Sequence, residues 1–229
     1  KIKKFKIVLE PIKKNTAPAM LTAALIKEIS DQQPLVFLSS DHLIEKAGLF
    51  NKAIKRNIKN LNKSNIFIFG IKPRMPSSEF GYFLTKKISS NINKVSRFIE
   101  KPSETKAKQI IKNKGYWNSG MFFLRKDSII NNFKKYQKNI YFNSLMAINK
   151  SNLRNNIYYL DKKAFSKNLS KSFDYAILEK TKDINAIKLN IPWSDLGSWK
   201  EICKVYDKLK TKYQKRKIFF TDLGAGIQT

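Results

Sequence analysis

Uninterrupted apolar runs that alternate with amphipathic stretches give the first prediction for this chain. Residues 35–38 are all apolar, without polar alternation, which is typical of a strand buried on both faces in the middle of a parallel sheet. Residues 66–71 repeat that pattern, and residues 50–61 have the spacing of an amphipathic helix. Because strands and helices alternate along this half of the chain, the pattern predicts an α/β protein with a doubly wound sheet.

Two acidic residues follow predicted strands. Asp41 comes after the strand at residues 34–39, and Asp195 comes shortly after the strand at residues 184–191. Ligands of open α/β sheets bind at the carboxyl ends of the strands, so both carboxylates are predicted to face a ligand. For Asp41, a role as the N-cap of the next helix is an equally good interpretation of the residues alone.

Glycines flanked by aromatic and amide residues mark two further candidate segments. Gly81 lies between two aromatic residues, where the lack of a side chain lets a ligand approach the backbone. Asn118 and Ser119 precede Gly120 and offer hydrogen-bond donors and acceptors suited to sugar hydroxyls, beside the flat side chain of Trp117. Taken singly, a bulge explains the first segment nearly as well, and a polar turn explains the second better.

The charge of the chain raises a nucleic-acid hypothesis, which its composition argues against. The net charge is +29 over 229 residues, but only six of the 46 basic residues are Arg, the residue that best reads bases and phosphates. The lysines are spread along the chain among Ile and Asn, which is typical of solvated faces. We therefore expect no nucleic-acid partner, although the positive field favours anionic, phosphate-bearing substrates.

Length and residue counts limit the remaining classes. We predict one principal domain at residues 1–209 and a basic C-terminal extension, or the start of a further element, at residues 210–229. Cys203 is the single cysteine and His42 the single histidine, which excludes an internal disulfide and a Cys/His zinc site. The sequence has neither an apolar run of membrane-spanning length nor an export signal, so we expect a cytoplasmic protein without a membrane partner.

Six motifs, taken in order, resemble one enzyme family over residues 9–206. They lie at residues 9–11 with 15–19, 40–42, 69–71 with 80–82, 98–102, 116–122 and 193–199. Together they resemble the mannose-1-phosphate guanylyltransferases of the sugar-phosphate nucleotidylyltransferase superfamily. Each motif is weak by itself, but the six in this order are specific.

The resemblance implies a Rossmann-like nucleotidyltransferase core with a mixed, mostly parallel central sheet. It also implies that GTP and mannose 1-phosphate are joined to give GDP-mannose and pyrophosphate. The residue roles it implies are Mg²⁺ binding and catalysis by Asp41 and Asp195, catalysis at the sugar phosphate by Lys101, mannose binding by Gly81, Glu100 and Asn118, and guanine and ribose binding by Glu10, Asn15 and Thr16.

Departures from the family pattern leave alternatives open. The family's Gly-rich triphosphate loop has no match here and is expected upstream of Lys1 unless it has been lost, so we expect these residues alone to be inactive or nearly so. Glu79 stands where the family has a glycine, and Ser40 where it has an alanine. A nucleotidylyltransferase for another sugar 1-phosphate or nucleobase, and a degenerate, non-catalytic nucleotide-sugar-binding subunit, both remain as alternatives. The oligomeric state is open, with a homodimer as one option.

Overall fold

The computed structural model describes residues 5–88 and 92–214. The chain divides into a larger unit, Lys1–Ser39 with Lys46–Ile191, and a smaller unit, Ser40–Glu45 with Pro192–Thr229. The described α-helices are α1 (Thr16–Ala24), α2 (Ala47–Asn57), α3 (Glu104–Lys112), α4 (Lys126–Tyr136), α5 (Lys138–Asn149), α6 (Lys162–Ser166) and α7 (Trp199–Gln214). The described strands are β1 (Ile7–Leu9), β2 (Pro34–Phe37), β3 (Leu43–Ile44), β4 (Ile66–Ile71), β5 (Tyr82–Lys87), β6 (Asn93–Ile99), β7 (Tyr116–Arg125), β8 (Asn152–Arg154), β9 (Ile157–Tyr159), β10 (Ile184–Leu189) and β11 (Trp193–Ser194).

A six-stranded sheet in the order β2-β7-β4-β10-β6-β5 forms the centre of the larger unit. Every residue of β4 is buried, as its uninterrupted apolar run predicts. The predicted α/β class with a mixed sheet is confirmed. The prediction that this sheet is mostly parallel is wrong, because β4 and β10 are the only parallel pair among its described strands, and the other pairings within this sheet are antiparallel.

Strand β2 shows why the strand directions were predicted wrongly. Its four residues are half-buried, and in the described sheet it lies at an edge, paired with β7 from Pro34 to Phe37. An apolar run indicates that a strand packs against apolar neighbours, but it carries no information about the direction or identity of its partner. Strand β1 is not part of the six-stranded sheet, and it pairs with β9 in a three-stranded sheet of order β1-β9-β8.

The hydrophobic core of the larger unit lies between the six-stranded sheet and a helical layer. Helices α1, α4 and α5 contact one another in this layer, and Leu21, Phe133 and Ile140 are fully buried there. Phe173 is also fully buried and packs on Phe122 of β7, with ring centroids 4.7 Å apart. The core therefore fixes the segment that begins at residue 173 against the back of β7.

Helix α7 extends past residue 209, the predicted end of the principal domain, and continues to Gln214. Residues 215–229 of the predicted basic extension lie outside the described residues.

Within residues 5–88 and 92–214, the helices lack the combination of length and apolarity that crossing a bilayer requires.

A pair of glycine substitutions tests the packing of the larger unit. A Cβ on Gly115 would lie 2.3 Å from Ile110 Cγ2 and 2.8 Å from the Ile110 carbonyl oxygen, so Gly115→Ala should lower the free energy of unfolding by about 1–3 kcal/mol. A Cβ on Gly48, within α2, would meet no atom within 4 Å, so Gly48→Ala should raise it by about 0.5–1 kcal/mol. Urea denaturation measures both, and equal effects of the two substitutions would contradict this packing.

Candidate functional site

Asp41 and Asp195 lie in the smaller unit, where a short ladder brings their segments together. Strands β3 and β11 are antiparallel, with Ser194 opposite Leu43. Asp195 directly follows β11, and Asp41 lies just before β3, so both acids leave the ladder at the same end. The sequence predicted them at strand ends of the main sheet, whereas the structure places them beside this separate ladder. Its two-residue strands are too short to produce a sequence periodicity.

His42 directly follows Asp41, and the charges of both acids affect its pKa. Its ring packs edge-on against Trp193, with ring centroids 5.3 Å apart. Desolvation lowers the pKa of His42, while the carboxylates of Asp41 and Asp195 each act to raise it. A single imidazole thus experiences the charge of both carboxylates, which agrees with their position at one end of the ladder.

The backbone after β11 turns tightly around the Asp195 carboxylate. Leu196 has a left-handed φ of 51°, and its N–H donates a hydrogen bond to Ser194 Oγ at 3.1 Å. A Cβ on Gly197 would lie 2.7 Å from Asp195 Oδ2. The carboxylate therefore occupies the space that the glycine leaves free.

The chemistry of this end of the ladder suits Mg²⁺. The site offers two carboxylates, which are hard oxygen ligands, and Mg²⁺ is usually held by one or two carboxylates together with substrate phosphates and water. No group of three or more His, Cys, Asp or Glu side chains is arranged to hold a metal in the described parts of the chain. Asp41 and Asp195 therefore suit an ion that shares its coordination with a phosphate substrate and not an ion enclosed by protein ligands alone.

In the larger unit, Gly81, Glu100 and Asn118 lie side by side because their strands are in register. The first residue of β5 pairs with the last residue of β6 and with the second residue of β7. The three predicted sugar-binding residues are the next positions beyond that rung. The Asn118 N–H donates a hydrogen bond to the Gly81 carbonyl oxygen at 2.8 Å. Pairing of the strands thus assembles these residues at one edge of the sheet.

The Glu100 side chain occupies the space beside Gly81. A Cβ at position 81 would lie 2.3 Å from Glu100 Oε2. This oxygen is buried and has no hydrogen-bond partner among the described residues. A buried acceptor without a partner costs free energy and indicates a place for a ligand or a water molecule.

The loop before Gly81 is anchored to strand β5 and to Trp117. The Tyr82 hydroxyl accepts a hydrogen bond from the Ser77 N–H at 3.0 Å and donates to the Ser77 carbonyl oxygen at 3.1 Å. The Phe80 ring packs on Trp117, with ring centroids 4.7 Å apart. Glu79, which departs from the family pattern, is exposed, and its N–H donates to Ser77 Oγ at 3.1 Å.

Asp174 is a candidate site residue that the sequence interpretation missed. It begins a π-helical turn, Asp174–Leu178, and its Oδ1 accepts a hydrogen bond from Asn118 Nδ2 at 2.7 Å. The pattern of residues 173–180 alone is typical of a short helix and does not mark Asp174 as a site residue. The available signal was an acid inside the apolar segment 173–178, since a buried carboxylate requires a donor.

Glu100 and Asp174 both have raised pKa values. Burial, with a smaller contribution from the Asp174 charge, raises the pKa of Glu100 to about 7. Burial likewise raises the pKa of Asp174 to about 6, while the hydrogen bond from Asn118 acts to lower it. Lys101, which has a left-handed φ of 45°, lowers the pKa of both acids, and Glu179 raises both. The predicted catalytic Lys101 is thus electrostatically coupled to the predicted sugar-binding edge.

The raised pKa of Glu100 predicts how the free energy of unfolding changes with pH. Between the ordinary pKa of 4.5 for Glu100 and its folded pKa of about 7, the folded chain binds more protons than the unfolded chain. The stabilisation is complete below the lower pKa and is lost as the pH rises through the folded pKa, so the free energy of unfolding should fall between pH 5 and pH 8. Glu100→Gln should flatten this fall, and Glu79→Gln, at an exposed site, should not. Urea denaturation at several pH values measures the slope, and equal slopes for both variants would contradict the prediction.

The predicted nucleotide-binding residues Asn15 and Thr16 begin helix α1. Asn15 has a left-handed φ of 67°, and its side chain accepts a hydrogen bond from the Thr16 N–H at 2.8 Å. Thr16 Oγ1 accepts from the Phe173 N–H at 2.9 Å, which connects this segment to the residue before Asp174. Glu10 follows β1, and partial desolvation raises its pKa. Among the described residues, no hydrogen bond joins Glu10 to Asn15 or Thr16.

Known proteins match most of this chain in sequence. Residues 1–212 match the family model described as nucleotidyl transferase, a range that includes every predicted site residue. The alginate biosynthesis protein AlgA of Pseudomonas aeruginosa is 34% identical over 208 residues, which cover 88% of this chain and 43% of that protein. A mannose-1-phosphate guanylyltransferase of Salmonella montevideo is 35% identical over 210 residues, covering 88% of this chain and 44% of that protein.

A solved structure also matches at more than a quarter sequence identity. A crystal structure of mannose-6-phosphate isomerase from Helicobacter pylori is 31% identical, with a TM-score of 0.73 over 82% of this chain and 73% of that chain. The chain spans less than half the length of the two curated relatives above.

Proposed function

Because this chain belongs to the nucleotidyl transferase family, we propose that it carries the guanylyl-transfer site of an enzyme that makes GDP-mannose and pyrophosphate from GTP and mannose 1-phosphate. A phosphate oxygen of the sugar phosphate attacks the α-phosphorus of GTP, the bond between that phosphorus and the oxygen bridging the α- and β-phosphates breaks, and the β- and γ-phosphates leave as pyrophosphate. The reaction needs positioning and charge neutralisation instead of a covalent nucleophile. The name of the Salmonella relative supports the choice of base and sugar.

The observation that carries this proposal is the edge formed by Gly81, Glu100 and Asn118. A carboxylate with one buried oxygen and a buried amide, next to a glycine that leaves room, are groups that can bind sugar hydroxyls. Lys101, next in sequence to Glu100, would bind the sugar phosphate. Glu10, Asn15 and Thr16 would contact the guanine and ribose.

Asp41 and Asp195 would hold Mg²⁺. The ion, when bound, would supply positive charge to the phosphate oxygens of the nucleotide. The two acids would orient it from one end of the β3–β11 ladder, and the tight turn after β11 would limit the movement of the Asp195 carboxylate.

Calorimetric titration and a pyrophosphate-release assay test the proposal together. The chain should bind GDP-mannose in preference to GDP-glucose and UDP-glucose, and the full-length protein that carries it should release pyrophosphate from GTP only with mannose 1-phosphate. Release with another sugar phosphate or nucleotide would replace the proposed substrates. Binding of GDP-mannose without turnover by the full-length protein would favour the non-catalytic subunit. Isomerisation of mannose 6-phosphate is assayed in parallel, because the Helicobacter pylori relative carries that name.

A further inference from the structure

The side chain of Asn118 is held at both ends of its amide group. Its Nδ2 donates a hydrogen bond to Asp174 Oδ1 at 2.7 Å, and its Oδ1 accepts a long one from the Gly120 N–H at 3.4 Å. Asn118 is only 6% exposed, so neither end of the amide can turn into bulk water. An amide can present either oxygen or nitrogen at one place, and its hydrogen-bond partners decide which.

Asp174 selects the nitrogen end of this amide. An ionised carboxylate only accepts hydrogen bonds, so it pairs with Nδ2 and excludes Oδ1. Nδ2 carries two hydrogens, and its second hydrogen remains for another acceptor. At the same edge, Glu100 Oε2 is an acceptor without a partner among the described residues. The edge therefore combines one oriented donor, Asn118 Nδ2, with one side-chain oxygen that lacks a partner among the described residues, Glu100 Oε2 beside Gly81.

The turn that contains Asp174 does not depend on its carboxylate. The neighbouring Phe173 and Ile177 are fully buried, and the Asp174 carbonyl oxygen accepts from the Glu179 N–H at 3.0 Å. Apolar burial and backbone hydrogen bonding therefore hold the turn in place. Removing the charge of Asp174 should change the partner of Asn118 more than it changes the fold.

We propose that Asp174 is a positioning residue that fixes Asn118 as a hydrogen-bond donor to a hydroxyl of the sugar phosphate, at the same edge as Glu100. This inference rests on the proposed function for the class of ligand, a hexose 1-phosphate. It does not rest on that function for the hydrogen bond between the two side chains. Asp174 acts through Asn118 and need not touch the substrate.

Asp174→Asn is the first test, because it keeps the shape of the side chain and removes its charge. The affinity for mannose 1-phosphate should fall at least about tenfold, while the affinity for GTP changes less than about twofold. Isothermal titration calorimetry measures both affinities, and a thermal melt checks the fold. Equal losses for the two ligands would overturn the inference.

An exchange of the two side-chain types separates positioning from packing. The double substitution Asn118→Asp with Asp174→Asn keeps a charged hydrogen bond between the positions with donor and acceptor exchanged, so position 118 then presents only acceptor oxygens. We expect the melting temperature to match that of the native chain and the affinity for mannose 1-phosphate to stay low. If the affinity equals that of the native chain, Asp174 has only a packing role and the inference fails.

A nuclear magnetic resonance measurement keeps this test independent of the substrate. The Asn118 side-chain NH₂ hydrogens should exchange slowly with water in the native chain and faster in Asp174→Asn. Unchanged exchange would overturn the positioning role whatever the ligand is. If the native chain binds neither mannose 1-phosphate nor GDP-mannose, the proposed function fails, and the exchange comparison then decides the positioning role alone.

Discussion

Asp195→Asn is expected to slow pyrophosphate release by the full-length protein about a hundredfold or more, at about 3 kcal/mol of lost transition-state stabilisation. Asparagine keeps the shape of the side chain but removes one of the two negative charges at the end of the β3–β11 ladder. A divalent cation bound there would lose a charged ligand, so the Mg²⁺ concentration for half-maximal rate should rise. Initial rates over a series of Mg²⁺ concentrations measure both effects.

A second acid in the same unit provides the matched control for this substitution. Glu201 lies on α7 and pairs at 2.6 Å with Lys204, whose side chain is exposed. Glu201→Gln removes the same charge, and loss of such an exposed pair costs at most about 1 kcal/mol. Mn²⁺ binding followed by electron paramagnetic resonance should weaken in Asp195→Asn and stay unchanged in Glu201→Gln. Equal rates and equal Mn²⁺ binding in the two variants would remove Asp195 from the metal site.

The sequence identified the two acids for a reason that only partly matches the structure. Asp41 and Asp195 are predicted site residues because each follows an apolar run that predicts a strand, and each indeed lies beside a strand. The strands β3 and β11 are only two residues long, so no repeating pattern could reveal that they pair. The two acids come together only through the tertiary fold, because β3 and β11 are distant from each other along the chain.

The sugar-binding edge illustrates a different limit. Gly81 and Asn118 are candidates from their neighbouring residues as well as from the resemblance, and Glu100 from the resemblance alone. Strand register explains why these three distant segments meet. Asp174 escaped selection because an acid at the start of a short helix is commonly a solvated N-terminal charge. Its hydrogen bond to Asn118 depends on packing of Phe173 against Phe122, which no local pattern specifies.

The same distinction explains the error in strand direction. Burial can be predicted from β4, because an uninterrupted apolar run has no polar face to leave in water. Direction cannot be predicted in that way, because parallel and antiparallel neighbours bury an apolar strand equally well. The described sheet therefore has the predicted apolar strands in a largely antiparallel arrangement that places β7 between β2 and β4.

Gly81→Ala is expected to weaken mannose 1-phosphate binding at least about tenfold, or about 1.4 kcal/mol, and to leave GTP binding nearly unchanged. The new methyl group would lie 2.3 Å from Glu100 Oε2, so the carboxylate must move. The end of a glutamate side chain can move without disturbing the core, so the melting temperature should change little. By contrast, a Cβ on Gly70 would lie 2.5 Å from the fully packed Phe83 ring, so Gly70→Ala should lower the melting temperature.

Two further variants connect the Gly81 effect to Glu100. Ser78→Ala, at an exposed position of the same loop, should change neither affinity. Combining Gly81→Ala with Glu100→Ala removes the clash but also removes the acceptor, so the affinity for mannose 1-phosphate should stay low. Recovery of that affinity in the double variant would mean that the glycine only prevents a clash and that Glu100 binds no hydroxyl. If the double variant loses no more affinity than either single variant, Gly81 and Glu100 act as one unit, because the free-energy changes of substitutions at contacting residues do not add.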